Sequence, residues 1–246
     1  MHKDVIIVGA GISGIAAGYN LKKSCPNKSF SILEGRENIG GTWDLFKYPG
    51  IRSDSDMHTL GFRFKPWIHD KSIADGPSIM EYLHETVNEN SLNDNILLNH
   101  IVDSANWNSK KSLWELKINV NNDLKDMTCN FFFLCGGYYS YTKPHMPYFK
   151  NQEDFKGQIV HPQFWDESLD YKNKKIAVIG SGATAITIVP AIAEQAEHVV
   201  MIQRSPTYVV SGPSEDVINK FLRRILPVRI TYFLIRWKNI LYQSFT

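Results

Sequence analysis

Two glycine-rich loops have the spacing that binds the pyrophosphate of a dinucleotide. The loops are Gly9-Ala10-Gly11-Ile12-Ser13-Gly14, which fits G-x-G-x-x-G, and Gly180-Ser181-Gly182-Ala183-Thr184-Ala185, which ends in alanine. In this pattern the first glycine permits a tight turn, the second lets the backbone approach the phosphates, and the third allows a helix to pack closely on a strand. The N-terminus of that helix stabilises the anion. Glycines that serve packing alone are the alternative interpretation.

The residues at the end of the following strand indicate which dinucleotide each loop binds. Glu34 lies 20 residues after Gly14, where a carboxylate accepts hydrogen bonds from ribose hydroxyls. At the corresponding place the second loop is followed by Arg204 and Ser205. A guanidinium suits the 2′-phosphate of NADP, which a carboxylate would repel. We therefore expect FAD at the first loop and NADPH at the second, with hydride passing from nicotinamide to flavin. A solvated arginine at a strand end is the alternative.

The elements that would position these loops repeat along the chain. Residues 5–8 predict a buried strand, followed by a helix to about Lys23 and a strand ending at Glu34. The same order returns from Lys175, although Pro190 should kink or shift the second helix. The predicted fold class is α/β, with two Rossmann-like dinucleotide-binding domains, the second incomplete, and a helical insertion at the C-terminus.

We divide the chain into four segments. They are an FAD-binding domain at 1–141, a linker at 142–174, the start of an NADP-binding domain at 175–210, and the helical insertion at 211–246. The irregular stretch 35–76 is typical of a segment that wraps a ligand. Further predicted elements are a helix at 77–89, strands near 96–98, 101–107 and 113–120, and a fully buried strand within 129–140, "CNFFFLCGGYYS". Because no closing strands follow the second domain, we expect a truncated chain.

Composition narrows the class of protein. A net charge of +2 argues against a dedicated nucleic-acid binder, and 43% hydrophobic with 21% charged residues is typical of a globular chain. The three cysteines form no C-x-x-C pair, which excludes a disulfide framework, a zinc ribbon and a redox pair, so no metal site is predicted. With no signal peptide and no apolar run of 18 residues, we expect a cytoplasmic location.

One further stretch makes the sequence similar to a known family. Residues 155–166, "FKGQIVHPQFWD", match F-x-G-x-x-x-H-x-x-x-W-(P/D), the fingerprint of the Baeyer–Villiger flavin monooxygenases. The segments "GGTWDLFKYPGIRSDSDMHTLGFRF" and "GSGATAITIVPA" resemble in particular its ethionamide-activating, FAD-containing members, of which this chain resembles the N-terminal half. The resemblance implies that NADPH reduces FAD, that the reduced flavin captures O2, and that the resulting C4a-peroxide inserts one oxygen atom into a ketone, giving an ester or lactone, or oxidises a sulfur compound.

The resemblance also implies the site residues. Those expected to bind the cofactors are Gly9, Gly11, Ser13, Gly14, Glu34, Gly41, Thr42, Trp43, Asp44, Leu45 and Val102 for FAD, Asp54, Ser55 and Asp56 for both cofactors, and Gly180, Ser181, Gly182, Ala183, Thr184, Ala185, Arg204 and Ser205 for NADP. Asp54 is the catalytic residue, which in the family orients an arginine that supports the anionic peroxyflavin. That arginine is expected beyond residue 246.

Other interpretations of these positions stay open. His161 would coordinate the two cofactors from the linker without acting as a base, or it is a structural histidine. Trp43 could be a core aromatic residue, and "RSDSD" could be a solvated turn. A smaller departure from the family is "CGGYY" at residues 135–139, where a hydroxyl contact is lost.

The C-terminal helices and the overall function carry alternatives too. Apolar residues of 217–226 form one helix face with basic residues opposite. This pattern predicts that the apolar face packs in the core or covers the substrate as a lid, or else that the helix contacts a membrane surface. The alternative functions are a flavin monooxygenase that oxidises nitrogen or sulfur, and a catalytically incomplete fragment that binds nucleotide without turnover.

Overall fold

The computed structural model describes residues 1–206, 208–209 and 214–245, and the chain forms two compact units. Unit 1 comprises Met1–Leu45 and Ile79–Tyr148, and unit 2 comprises Phe46–Ser78 and Phe149–Thr246. Most of the irregular stretch 35–76, from residue 46 onward, therefore belongs to the same unit as the second glycine loop. The domain boundaries given above stay a prediction.

The helices and strands follow the order expected for two βαβ motifs separated by an antiparallel meander. The strands are β1 (His2–Val8), β2 (Phe30–Leu33), β3 (Ile96–Leu97), β4 (His100–Asn108), β5 (Leu113–Val120), β6 (Asp123–Leu134), β7 (Lys175–Ile179) and β8 (His198–Ile202). The helices are α1 (Ile12–Ser24), α2 (Thr42–Leu45), α3 (Met57–Leu60), α4 (Gly76–Glu89), α5 (Ala183–Ala193), α6 (Val217–Leu222) and α7 (Val228–Phe245). The predicted α/β class is confirmed.

Unit 1 is built on a six-stranded sheet of order β3-β2-β1-β6-β5-β4. The pairs of β1 with β2 and β6, and of β2 with β3, are parallel, whereas β4, β5 and the first half of β6 are antiparallel. Its core contains Ile6, Leu33, Leu116, Ile118, Met127 and Cys129. Helix α1 packs closely on β2 because Gly18 has no side chain: a methyl group there would lie 2.7 Å from Cδ1 of Ile32.

The prediction of a fully buried strand at 129–140 is wrong for the end of β6. Phe131, Phe133 and Leu134 are 68%, 53% and 72% exposed. The reason is that β5 pairs only with residues 123–129 of β6, so residues 131–134 pair with β1 alone among the described strands. The run of apolar residues predicted the strand correctly, but it could not show which strands pair with each part of it.

Unit 2 holds the parallel pair β7 and β8 with α5, and the helices α6 and α7. Pro190 lies inside α5 and does not end it. Residues 223–227 separate α6 from α7, and Pro227 directly precedes α7.

The apolar side of α6 is not buried in the core, and whether it forms a substrate lid stays a prediction. Ile218 and Phe221, which were expected in the core or in a lid, are 53% and 59% exposed, whereas Asp216 and Asn219 are buried. Asp216 lies on the inner side as the N-cap of α6, with its carboxylate accepting from the N–H of Asn219. None of the described helices is both long and apolar enough to cross a bilayer.

Candidate cofactor-binding sites

The first glycine loop is tightly packed for steric reasons. Gly9 has φ of +97°, and a methyl group on it would lie 2.5 Å from the carbonyl oxygen of Cys135, the residue that follows β6. A methyl group on Gly14 would overlap the carbonyl oxygen of Gly9. Two glycines of the pattern are thus required by the packing of the turn itself, and no side chain of the described residues caps the N-terminus of α1.

A second pair of glycines lies against this loop. The N–H of Gly40 donates to the carbonyl oxygen of Ala10 (3.0 Å), and a methyl group on Gly41 would lie 3.1 Å from Cα of Gly11. Helix α2 begins directly afterwards and contains Thr42, Trp43, Asp44 and Leu45. The structure therefore brings the predicted FAD residues of residues 9–14 and 41–45 together. Ser13 lies exposed in the first turn of α1, and Trp43 is partly exposed rather than fully buried in the core.

Glu34 is held at the end of β2 by backbone donors. Its side chain is buried, with Oε2 accepting from the N–H of Ala10 (2.8 Å) and Oε1 from the N–H of Arg36 (3.1 Å). A carboxylate offers about four acceptor positions, so each oxygen retains one. The start of β4 lies beside it, since the N–H of His100 donates to the carbonyl oxygen of Glu34 (2.8 Å). Val102, two residues further along β4, packs against the core of unit 1.

An ion pair that the sequence analysis missed stabilises this region. Arg36 Nη2 lies 2.6 Å from Oδ2 of Asp44, and the two side chains are 24% and 7% exposed. The same guanidinium donates to the carbonyl oxygen of Gly41 (3.3 Å) and lies 5.3 Å from the ring centroid of Tyr141. Burial, together with the charge of Glu34, raises the pKa of Tyr141. The nearby signal was the arginine in "EGRENIGG", but no spacing rule pairs it with Asp44.

The second glycine loop is open. The N–H of Gly180 donates to the carbonyl oxygen of Ile202 in β8 (2.8 Å), and Ser181 Oγ donates to that of Ser205 (3.4 Å). A methyl group on Gly180 or Gly182 would meet no described atom within 4 Å. Residues 180–185, Ser205 and the exposed Arg204 therefore converge at one end of β7 and β8.

The "RSDSD" segment lies in unit 2 and divides into two environments. The N–H of Ser53 donates to the carbonyl oxygen of Ala74 and that of Met57 to Ser72, each at 2.8 Å. Between these anchors Asp54 is exposed, whereas Asp56 is buried. Asp56 is the N-cap of α3, with Oδ1 accepting from the N–H groups of His58 (3.0 Å) and Thr59 (3.1 Å). That Asp54, Ser55 and Asp56 contact cofactors stays a prediction.

His58 is a buried histidine that the sequence analysis did not single out. It is 0% exposed, and neither ring nitrogen has a hydrogen-bond partner among the described residues. Burial lowers the pKa of His58, while the nearby carboxylates of Asp56 and Asp216 oppose this. The side chain is therefore neutral at pH 7.

The fingerprint stretch makes local contacts at each of its marked positions. A methyl group on Gly157 would collide with the Phe155 ring, and Nδ1 of His161 accepts from the N–H of Gln163 (3.2 Å), which caps a short 3-10 helix. The rings of Trp165 and Tyr171 are 6.0 Å apart. Asp166 Oδ1 accepts from the hydroxyl of Ser168 (2.6 Å), which lowers the pKa of Asp166. These contacts show a local capping role for His161, and that it coordinates the two cofactors stays a prediction.

Comparison with known proteins identifies the class of protein. The flavin-binding monooxygenase-like family matches residues 66–244, and an NAD(P)-binding Rossmann-like domain matches residues 7–70. The chain therefore belongs to the flavin-binding monooxygenase-like family, and the resemblance found in its motifs is confirmed.

Particular relatives agree with this assignment. The chain is 53% identical over 244 residues to the FAD-containing monooxygenase EthA of Mycobacterium tuberculosis (strain ATCC 25618 / H37Rv). This alignment covers 99% of this chain and 50% of EthA. A structure of an oxidized steroid monooxygenase bound to NADP matches with a TM-score of 0.78 at 26% identity, covering 94% of this chain and 43% of the other. A structure of OTEMO in complex with FAD and NADP matches with a TM-score of 0.77 at 25% identity, covering 95% and 44%. The chain thus spans about half the length of the relatives it matches.

Proposed function

We propose that this chain carries the FAD site and the NADPH site of a Baeyer–Villiger-type monooxygenase, which inserts one oxygen atom of O2 into a ketone or oxidises a sulfur compound. The observation that carries the proposal is that the chain has two glycine loops and that the strands after them end in residues of opposite charge. One has a buried carboxylate, Glu34, at the end of its second strand, and the other has an exposed guanidinium, Arg204. The relatives support it, since EthA is an FAD-containing monooxygenase and the steroid monooxygenase is bound to NADP.

The residues of unit 1 fit FAD. The closely packed glycines leave the first turn of α1 accessible to a pyrophosphate, whose charge the N-terminal N–H groups would stabilise. Glu34, oriented by two backbone donors, would accept hydrogen bonds from ribose hydroxyls. The pair of Arg36 and Asp44 would fix α2 and the residues 41–45 beside the loop. When bound, the flavin supplies the redox chemistry that activates O2.

The residues of unit 2 fit NADPH. Because the space at Gly180 and Gly182 is free of described atoms, a pyrophosphate can approach the backbone there. Arg204 can pair with the 2′-phosphate, which distinguishes NADPH from NADH. Asp54, exposed between two backbone anchors, is free to orient a cationic group by its charge. His161 caps the 3-10 helix Pro162–Phe164 and in this scheme coordinates the two cofactors without transferring a proton.

The purified chain tests the proposal directly. We expect it to retain FAD, seen by flavin absorbance, and to oxidise NADPH in air with incorporation of 18O from 18O2 into a cyclic ketone or a thioether. Sulfoxide without lactone would favour the nitrogen- and sulfur-oxidising alternative. Retained flavin without any oxygenated product would favour the nucleotide-binding fragment.

Arg204→Ala provides the sharper test of the NADPH site. Loss of a charge-assisted contact to the 2′-phosphate costs about 1.5–3 kcal/mol, which is a roughly 10- to 100-fold fall in the preference for NADPH over NADH. Lys172→Ala, an exposed lysine in the linker, is the control. An Arg204→Ala protein that prefers NADPH as strongly as the unaltered chain would contradict the assignment.

A further inference from the structure

We propose that helix α7 is a positioning element for the Asp54 segment, acting through Asn239 and Gln243 on the carboxylate of Asp56. The inference rests on the proposed function, in which Asp54 acts beside the cofactors. It assigns a role to residues that no motif marks. Neither amide contacts substrate or cofactor in this scheme, so both are positioning residues.

The contacts converge on one buried carboxylate. Asn239 Nδ2 donates to Asp56 Oδ1 (2.8 Å) and Gln243 Nε2 donates to Oδ2 (3.1 Å). The same carboxylate also accepts from the hydroxyl of Thr59 (2.7 Å), in addition to the two N–H groups of α3 described above. Asp56 therefore joins α3 and α7 by five hydrogen bonds, although 183 residues separate it from Asn239.

A second contact holds the opposite end of α3. Arg236 Nη1 donates to the carbonyl oxygens of His58 (2.7 Å) and Thr59 (3.0 Å). A guanidinium at the C-terminal carbonyls of a helix is favoured by the helix dipole. Because α3 has four residues, it is too short to be stable alone. Its position, and that of Asp54 two residues before its cap, therefore depends on α7 in addition to the backbone anchors of Ser53 and Met57.

The spacing of the contacts along α7 explains why one helix can make all of them. Arg236, Asn239 and Gln243 follow one another at intervals of three and four residues, which places them on one face of a helix. Lys238 of α7 pairs with Asp216, the N-cap of α6. Asp56 and Asp216, the N-caps of α3 and α6, are thus both held by side chains of α7.

Neutral amides suit Asp56 for an electrostatic reason. They donate hydrogen bonds to the buried carboxylate of Asp56 without adding a positive charge near Asp54. A lysine in place of Asn239 would neutralise Asp56 and add a cation that competes for Asp54. The choice of residue types therefore favours a positional role over a charge-balancing one.

The test compares the double variant Asn239→Ala/Gln243→Ala with Ser244→Ala, a control on the same helix whose hydroxyl donates to the carbonyl oxygen of Ile240. Hydrogen–deuterium exchange of the amides of residues 53–60 should accelerate about tenfold in the double variant and stay unchanged in the control. FAD retention should change little, because the glycine loop, Glu34 and α2 of unit 1 supply most of the expected FAD contacts. NADPH-driven oxygenation should fall in kcat about 10- to 100-fold, as small misplacements in active sites do, with KM for NADPH within about twofold.

The outcomes separate this inference from the proposed function. Unchanged exchange in the double variant overturns the inference, whether or not the chain is active. Accelerated exchange with unchanged kcat overturns it too, because the position of Asp54 would then not matter. An unaltered chain that retains no FAD and shows no preference for NADPH contradicts the proposed function, while the exchange result still decides whether α7 holds the segment. If the double variant fails to fold, the single variants are compared in the same way, and Asn239→Gln should restore protection where Asn239→Ala loses it.

Discussion

Alanine substitution at three glycines of unit 1 would separate steric collision from backbone strain. Gly9→Ala introduces both, because φ is +97° and the new methyl group would lie 2.5 Å from the carbonyl oxygen of Cys135. Gly137→Ala introduces strain alone, since φ is +72° but no atom lies within 4 Å. Gly136→Ala introduces neither, because its methyl group would enter open space without a positive φ.

The expected magnitudes follow from these two terms. A left-handed conformation costs a residue with a side chain about 1–2 kcal/mol, and overpacking costs about 1–3 kcal/mol. The free energy of unfolding should therefore fall by about 2–5 kcal/mol in Gly9→Ala, by about 1–2 kcal/mol in Gly137→Ala, and by less than about 0.5 kcal/mol in Gly136→Ala. With a urea m-value of roughly 2–3 kcal/mol/M, the unfolding midpoint falls by about 1–2 M for Gly9→Ala.

Cys129 provides a readout confined to unit 1. Its thiol is buried in the core, so a maleimide reacts with it only when that unit opens, whereas the exposed Cys25 reacts at once. Labelling in increasing urea without added nucleotide, followed by peptide mass spectrometry, gives the midpoint for unit 1. Equal midpoints for Gly9→Ala and Gly136→Ala would refute the close approach of the loop to the end of β6.

The remaining predictions concern charged and titratable groups. Burial lowers the pKa of His58 below its ordinary 6.5, so as pH falls the unfolded chain binds a proton at this histidine before the folded chain does. The stability of the folded state is therefore unaffected by His58 above about pH 6.5 and decreases as pH falls toward the lowered pKa. His58→Leu should flatten the decline of stability between pH 7 and 5 relative to His145→Leu, an exposed control, and equal slopes would speak against a buried neutral imidazole. Arg36→Ala should lower stability by about 1–3 kcal/mol, between the values for exposed and buried pairs, and should weaken FAD retention. A loss no larger than that of Lys28→Ala, which breaks an exposed pair, would contradict the role of the Arg36–Asp44 pair.

The sequence predicts those parts of the site that depend on neighbouring residues. A strand followed by a glycine loop and a helix is local, and the position of Glu34 follows from the length of that motif. The contact of Asp56 with Asn239 does not, because amides in helices carry no pattern that specifies a partner 183 residues away. Periodicity showed that α6 is amphipathic, but it could not show that Asp216, its N-cap, is buried and pairs with Lys238 of α7. The exposure of Phe131 depends on which strands pair with each half of β6, and composition contains no information on that.

The polypeptide passes between its two compact units three times, after Leu45, Ser78 and Tyr148. The units are therefore interleaved in the gene and cannot be exchanged as consecutive modules. A single crossover in the linker would bring residues 46–78 from one parent and α7 from another, so Asp56 would meet an unrelated helix. Recombinant hybrids of such monooxygenases should keep residues 46–78 and residues 149–245 from the same parent, which imposes a constraint on shuffling that a division into two successive domains would hide.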